Sequence, residues 1–417
     1  MQSKNHNLPE RNVTQFEISV PPDTTMPSPQ TLFLASHGGR VVDGLITDFG
    51  DYVAECDAFD HGLRLADAAD VGLLRVSGVD AAAFLHNQFS TNVSALMPGQ
   101  GQYSTYNSPK GRMLASLFLW REGLYPLPLA GEDASTNPRP SPTDTPFPKE
   151  AGQVNTNAPV FYLLLAADLV ETIRKRLSMY VLRAKVTLED VSASYAFLGL
   201  CGAGVTSDAV SIRAQTCLGL NSLPKLHHVQ TQNDFTAVAL SPTRLLLVLP
   251  METLPEHWLR LSQNALPTGR HLWQRAAILD GIPLITAATS DRLIPQSANW
   301  DALGGLDFQK GCYPGQEIIA RTRYLGRIKE RLYLARCNED TPFSSATPLY
   351  SPAFGEQACG LIVNAVSDRK GQIMLASFQT AAANSPIHVA RPDGPTLTLL
   401  PLPYELPVDE TPNRIKL

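Results

Sequence analysis

Lys310-Gly311-Cys312-Tyr313-Pro314-Gly315-Gln316-Glu317, KGCYPGQE, is the densest run of special residues in the chain. Gly311 and Gly315 admit backbone conformations closed to other residues, and Pro314 stiffens the link between them. The pattern predicts a tight loop that presents Cys312 in a fixed orientation. Glu317 then opens a predicted helix over 317–324 and stands four residues before Arg321, the spacing of a helical ion pair. Lys310 beside that helix start supplies positive potential, the condition that lowers the pKa of an exposed thiol. The same residues also fit a plain turn with a buried cysteine, and local sequence does not separate the two.

Working outward, Arg270–Leu279 reads as a helix stopped by Asp280-Gly281 before Pro283, with a second helix over 252–264. Leu245–Leu249 is a buried strand. Upstream, Leu73–Val76 is a strand followed by a helix that Asp80 is placed to cap, with Ala81, Phe84 and Leu85 on its apolar face. The runs 102–106 and 113–120 flank Asn107-Ser108-Pro109-Lys110-Gly111, which is turn chemistry, so a β-hairpin is predicted. Val160–Ala166 reads as a strand, with Asp168 capping the next helix, then strands over 185–188 and 195–200. Thr31–Ala35 reads as a short strand. After Lys329, five short runs at 331–336, 358–363, 372–378, 387–390 and 396–399 are separated by turn residues and predict a small antiparallel barrel or sandwich. The fold class is therefore α+β with an all-β C-terminal domain.

The chain's 417 residues exceed one ordinary core, so two or three domains are expected. The expected division is a tail over 1–30, a core over 31–125 and 160–325 in two subdomains, a C-terminal β-barrel over 326–405, and a tail over 406–417. Residues 126–159 carry many prolines among Ser, Thr, Asn and Asp, and read as a disordered surface insertion. A hydrophobic fraction of 44% with 18% charged residues is globular composition. The net charge of −5 argues against bulk nucleic-acid binding. The six cysteines form no CxxC pair and no zinc-finger spacing, so neither a disulfide framework nor a metal site is expected. The polar, partly acidic N-terminus lacks a signal-peptide apolar region, and no apolar run is long enough to span a bilayer. A cytoplasmic monomer that acts neither on a membrane nor directly on nucleic acid is the expectation.

KGCYPGQE resembles the signature of the YgfZ family, K-G-C-[FY]-x-G-Q-E. The flanks are similar too: Ile294-Pro295-Gln296, Asn299, Leu303-Gly304-Gly305-Leu306, Ala320-Arg321 and the late Leu400-Pro401-Leu402-Pro403-Tyr404. On the N-terminal side Ser77-Gly78, Gln88, Thr91-Asn92-Val93 and Lys110-Gly111-Arg112-Met113 fall where the family has its helix and hairpin. The resemblance covers about residues 65–125 and 160–405. It implies a fold like that of the T-protein, the folate-binding aminomethyltransferase of glycine cleavage. It implies tetrahydrofolate as ligand and a role in making or repairing iron–sulfur proteins, including those that modify tRNA.

Carried over, the working thiol is Cys312, with Lys310 beside it. Tyr313, Gln316 and Glu317 of the motif, Trp273, and Val71 (where the family has a tryptophan) become candidate folate contacts. An aromatic face such as Trp273's can stack on a pterin, although its spacing equally fits core packing with Leu272, Ala276 and Leu279. Arg321, Arg323, Arg327, Lys329 and Arg331 form a basic cluster. Arg321 and Arg323 are candidates to hold folate carboxylates, and Lys110 to reach an anionic ligand.

Two departures from the relatives bear on activity. The T-protein pattern has an acidic pair after the hairpin glycine, whereas Arg112-Met113-Leu114-Ala115-Ser116 carries no carboxylate. Leu279 stands where relatives have a glutamate that can bond the pterin, and Asp280 on a helix is expected to point elsewhere. The missing acidic pair favours a folate-dependent accessory factor over a one-carbon transferase, and Leu279 and Val71 keep a further reading open. A scaffold with a vestigial pocket is the third reading.

Overall fold

Residues 29–36 form a helix, α1 (Pro29–Ser36), not the strand expected over 31–35. Pro29 sits in its first turn and the Ser28 hydroxyl accepts from Thr31 N at 3.1 Å, so a proline-and-serine start outweighs a short apolar run. The computed structural model describes residues 27–57, 59, 62–123, 158–202, 208–232, 234–324, 328–339 and 341–407. Most of the tails expected over 1–30 and 406–417, almost all of the insertion expected over 126–159, and Arg327 lie outside the described residues.

The remaining helices follow in chain order: α2 (Tyr52–Asp57), α3 (Ala81–Gln88), α4 (Val170–Ser178), α5 (Asp208–Leu218), α6 (Leu254–Leu261), α7 (Arg270–Leu279) and α8 (Gln316–Tyr324). The acidic residues read as caps of α3 and α4 are used otherwise. Asp80 accepts from Lys185 N at 2.8 Å and Asp168 from Ala287 N at 3.0 Å. Each carboxylate satisfies a loop N–H from a distant segment and leaves its own helix start uncapped.

The expected hairpin forms from Gly101–Asn107 and Met113–Arg121. With Val160–Ala166, Val71–Ser77 and Thr187–Asp190 it makes a five-stranded antiparallel sheet. A second sheet of six strands runs Val229–Thr231, Thr236–Ser241, Arg244–Pro250, Tyr195–Cys201, Arg64–Asp67, Leu266–Thr268, antiparallel except for the last pair. The runs Leu245–Leu249 and Ala196–Leu200 at its centre carry no polar side chain because both faces are covered. Phe197, Leu246 and Val248 point to the central core, whereas Leu198, Leu200, Leu245 and Leu247 face a second core under α1, α5 and α6.

The C-terminal runs form a six-stranded antiparallel half-barrel that also includes Pro348–Tyr350. Its two edge segments meet through the His388–Thr396 bridge and the bonds Val389 N to Pro395 O (2.9 Å) and Leu397 N to Ile387 O (2.8 Å), just before the strand Thr398–Leu400. One face carries its own core (Ala335, Ile362, Met374, Phe378), and the other contributes Leu332, Leu334 and Leu375 to the central core. Helix α7 packs between the sheets and touches strands of both the six-stranded and C-terminal sheets. Among the described residues no helix is long and apolar enough to cross a membrane.

Candidate functional site

Asp307 sets the start of the KGCYPGQE loop. Its carboxylate accepts from the backbone N of Gln309 (2.8 Å) and Lys310 (3.2 Å), while its own N–H donates to Ser90 O at 2.9 Å. Lys310 then turns inward. Its ammonium donates to the carbonyls of His86 and Phe89 at the C-terminal end of α3, and lies 5.0 Å from the Tyr313 ring. A cation at a helix C-terminus is favourable, and it satisfies carbonyls that the helix leaves unpaired. Burial nevertheless drives the Lys310 pKa down to about 8, and burial pushes the Tyr313 phenol up to about 12. Lys310 therefore serves α3, where the sequence placed its charge at the start of α8.

The loop is seated on the hairpin turn. Gly315 has φ +80°, and a Cβ added there would lie 2.5 Å from Ser108 O and 2.7 Å from Gly111 Cα. Gly111 has φ +72°, and its Cβ would lie 2.9 Å from Ile318 Cβ. Two left-handed glycines thus bring two backbones into a contact that no side chain allows. Gln296 Nε2 donates to Ile319 O at 2.7 Å, tying α8 to the segment before the motif. Asn299 exchanges both hydrogen bonds with Leu332, and Tyr404 donates to Gly281 O at 2.8 Å.

Of the six cysteines, five are buried and Cys312 is exposed. Glu317, Arg321, Arg323 and Lys110 are also exposed, and among the described residues no ion pair joins Glu317 to Arg321 despite their spacing on α8. The Arg323 guanidinium lies over the Phe308 ring at 4.5 Å. Gln316 Nε2 reaches Lys310 O only at 3.5 Å. Arg331 of the basic cluster is buried and paired with Asp301 at 2.7 Å, a structural role.

A cavity of about 350 Å³ lies between the sheets and α7, and Trp273 and Val71 line it. Neither the loop residues Lys310, Cys312, Tyr313, Gln316 and Glu317 nor Lys110, Arg321 and Arg323 do so. The structure thus divides the sequence candidates between an enclosed cavity and an exposed loop. The hairpin joins the two places: Tyr103, Ser116, Leu117 and Phe118 on its strands line the cavity, and its turn carries the loop.

Trp273 is held flat by its surroundings. Gly199 leaves room for it, since a Cβ there would lie 2.3 Å from the indole, and the Arg244 guanidinium covers the ring at 5.1 Å. Asp280 points away from the cavity as expected, accepting from Ser241, Thr243 and Arg244 at 2.5–2.8 Å. The sequence missed Asp70, Gln274, Arg244 and Trp300, which also line the cavity. Asp70 and Gln274 directly adjoin the two candidates that were found. Arg244 and Trp300 carry no local signal.

No family model matches the chain. It is 27% identical over 356 residues to the tRNA-modifying protein YgfZ of Yersinia pestis (strain Pestoides F), covering 84% of this chain and 94% of the relative. The tRNA-modifying protein YgfZ of Hamiltonella defensa is 29% identical over 270 residues, 63% of this chain and 67% of that one. It is similar to proteins of the YgfZ family. The KGCYPGQE run that resembles the YgfZ signature is thus the loop seated on the hairpin, and Gln296 and Asn299 of its flank are the ties that hold α8 and the C-terminal sheet. The glycine cleavage system aminomethyltransferase T from Bartonella henselae superposes with a TM-score of 0.65 at 13% identity, covering 90% of this chain and 96% of that one. The chain has the T-protein-like α+β fold that the resemblance implied.

Proposed function

We propose that this chain is a folate-binding accessory protein that supports assembly or repair of iron–sulfur proteins, including enzymes that modify tRNA. The observation that carries the reading is the exposure of Cys312 alone among six cysteines, on a glycine-locked loop docked on the hairpin whose strands line the cavity. The residues present fit a pterin. Trp273 offers a flat apolar face, Val71, Ile282 and Leu284 add apolar wall, and a few polar groups interrupt it. The relatives described as tRNA-modifying proteins supply the link to tRNA. The hairpin supplies a route by which occupancy of the cavity affects the loop.

Two measurements test this. Tetrahydrofolate titrated into the protein is expected to change tryptophan fluorescence. In a strain deleted for its own YgfZ, the parent gene is expected to restore iron–sulfur enzyme activity and the Cys312→Ala variant to fail. Full rescue by that variant removes Cys312 from the mechanism. One observation favours the transferase alternative: the cavity does contain a carboxyl, Asp70, supplied by a different segment from the one after Gly111. Formation of a one-carbon tetrahydrofolate from an aminomethyl donor in purified protein would establish that alternative.

A further inference from the structure

Three residues lining the cavity carry polar atoms without a hydrogen-bond partner among the described residues: Asp70 Oδ1, Arg244 Nη2 and Trp300 Nε1. All three atoms are shielded from solvent, and Arg244 and Trp300 are buried outright. An unpaired buried polar group costs about 1–3 kcal/mol, so three around one cavity mark a site built for a polar ligand. The other oxygen of Asp70 accepts from Gln274 Nε2 at 3.3 Å, and Gln274 neighbours Trp273 on α7. Arg244 is oriented by Asp280 through Nε at 2.8 Å while its plane covers Trp273. One acceptor and two donors are thus arrayed about a flat indole face. Burial raises the Asp70 pKa, the condition of a carboxyl awaiting donors.

We infer that Asp70 is the residue that recognises the pterin head, its carboxylate accepting the paired donors of the 2-amino group and N3–H, with Arg244 Nη2 and Trp300 Nε1 donating to acceptor atoms of the same ring. The inference rests on the folate reading above and deepens it. A carboxylate matches two parallel N–H donors geometrically, and charge-assisted bonds of this kind are the strong ones. The pterin carries two adjacent donors beside a carbonyl acceptor, the complement of the unpaired wall. Asp70 thereby supplies from the start of a β-strand the carboxyl that Leu279 cannot supply from α7.

The test uses the full chain, tetrahydrofolate, and an analogue with methyl in place of the 2-amino group, each followed by tryptophan fluorescence. The parent is expected to prefer tetrahydrofolate over the analogue at least tenfold. Asp70→Asn is expected to lose at least tenfold in tetrahydrofolate affinity and to bind both ligands alike. Trp300→Phe, which keeps the ring and removes the donor, is expected to weaken both ligands and keep the preference. That second variant keeps the idea open to refutation should Asp70→Asn fail to fold, because undiminished binding by Trp300→Phe, or no preference in the parent, overturns it. Parent-like affinity in a folded Asp70→Asn overturns this inference alone. Absence of tetrahydrofolate binding by the parent overturns the folate reading as well.

Discussion

Replacing Gly315 by alanine probes the contact on which the site is built. At φ +80° an alanine costs about 1–2 kcal/mol in the left-handed region. Its Cβ would also press on Ser108 O at 2.5 Å and on Gly111 Cα and N at 2.7 and 2.8 Å. All three are backbone atoms of a turn, so no rotamer can relieve them, and overpacking adds about 1–3 kcal/mol. The expected loss is about 2–5 kcal/mol if the loop stays docked. If the loop lets go instead, the loss stops at its docking energy and Cys312 becomes more mobile. Urea unfolding reads the first quantity, and the rate at which a thiol reagent labels Cys312 under native conditions reads the second. Gly111→Ala meets Ile318 Cβ at 2.9 Å, and because the two glycines touch, the double variant should depart from additivity by at least about 0.5 kcal/mol. A Gly315→Ala protein within about 0.5 kcal/mol of the parent, with unchanged labelling, refutes the interlocked-loop argument.

Three further outcomes are expected. Lys310→Met removes a buried ammonium from the His86 and Phe89 carbonyls, and should lower stability by about 1.5–3 kcal/mol and raise hydrogen exchange at the end of α3; unchanged exchange there counts against the tie. Asp280→Ala strands the Arg244 guanidinium and should cost about 3–5 kcal/mol in urea unfolding, with a loss below 1 kcal/mol on the order of an exposed pair arguing otherwise. Burial lowers the His271 pKa to about 4, so between the ordinary value of about 6.5 and 4 the unfolded chain binds a proton that the folded chain does not. Stability should therefore fall as pH drops through that window, by about 3 kcal/mol in total, and His271→Gln should flatten the slope. Parallel pH profiles for parent and variant would exclude His271 as the cause.

Much of the fold was legible because it is dictated locally. The hairpin follows from Asn107-Ser108-Pro109-Lys110-Gly111, and α7 follows from its apolar periodicity and the Asp280-Gly281 stop. Local signals failed where two local solutions compete. Thr31–Ala35 has the apolar content of a strand, yet Ser28 and Pro29 start a helix there. Asp80 and Asp168 stand where caps belong, but folding brings Lys185 N and Ala287 N to them first. The cavity was legible only through Trp273 and Val71, since its wall is gathered from segments between residues 69 and 365.

The sequence by itself determined the α+β class, the all-β C-terminal part and a rigid KGCYPGQE loop, because glycine, proline and side-chain periodicity act on the backbone within a few residues. Only the tertiary structure decided that Cys312 is exposed, that the Lys310 charge is spent on α3, and that the loop and the cavity are separate places joined by one hairpin. Exposure, ion pairing and desolvation depend on which distant atoms close around a group, and the order of residues does not state that.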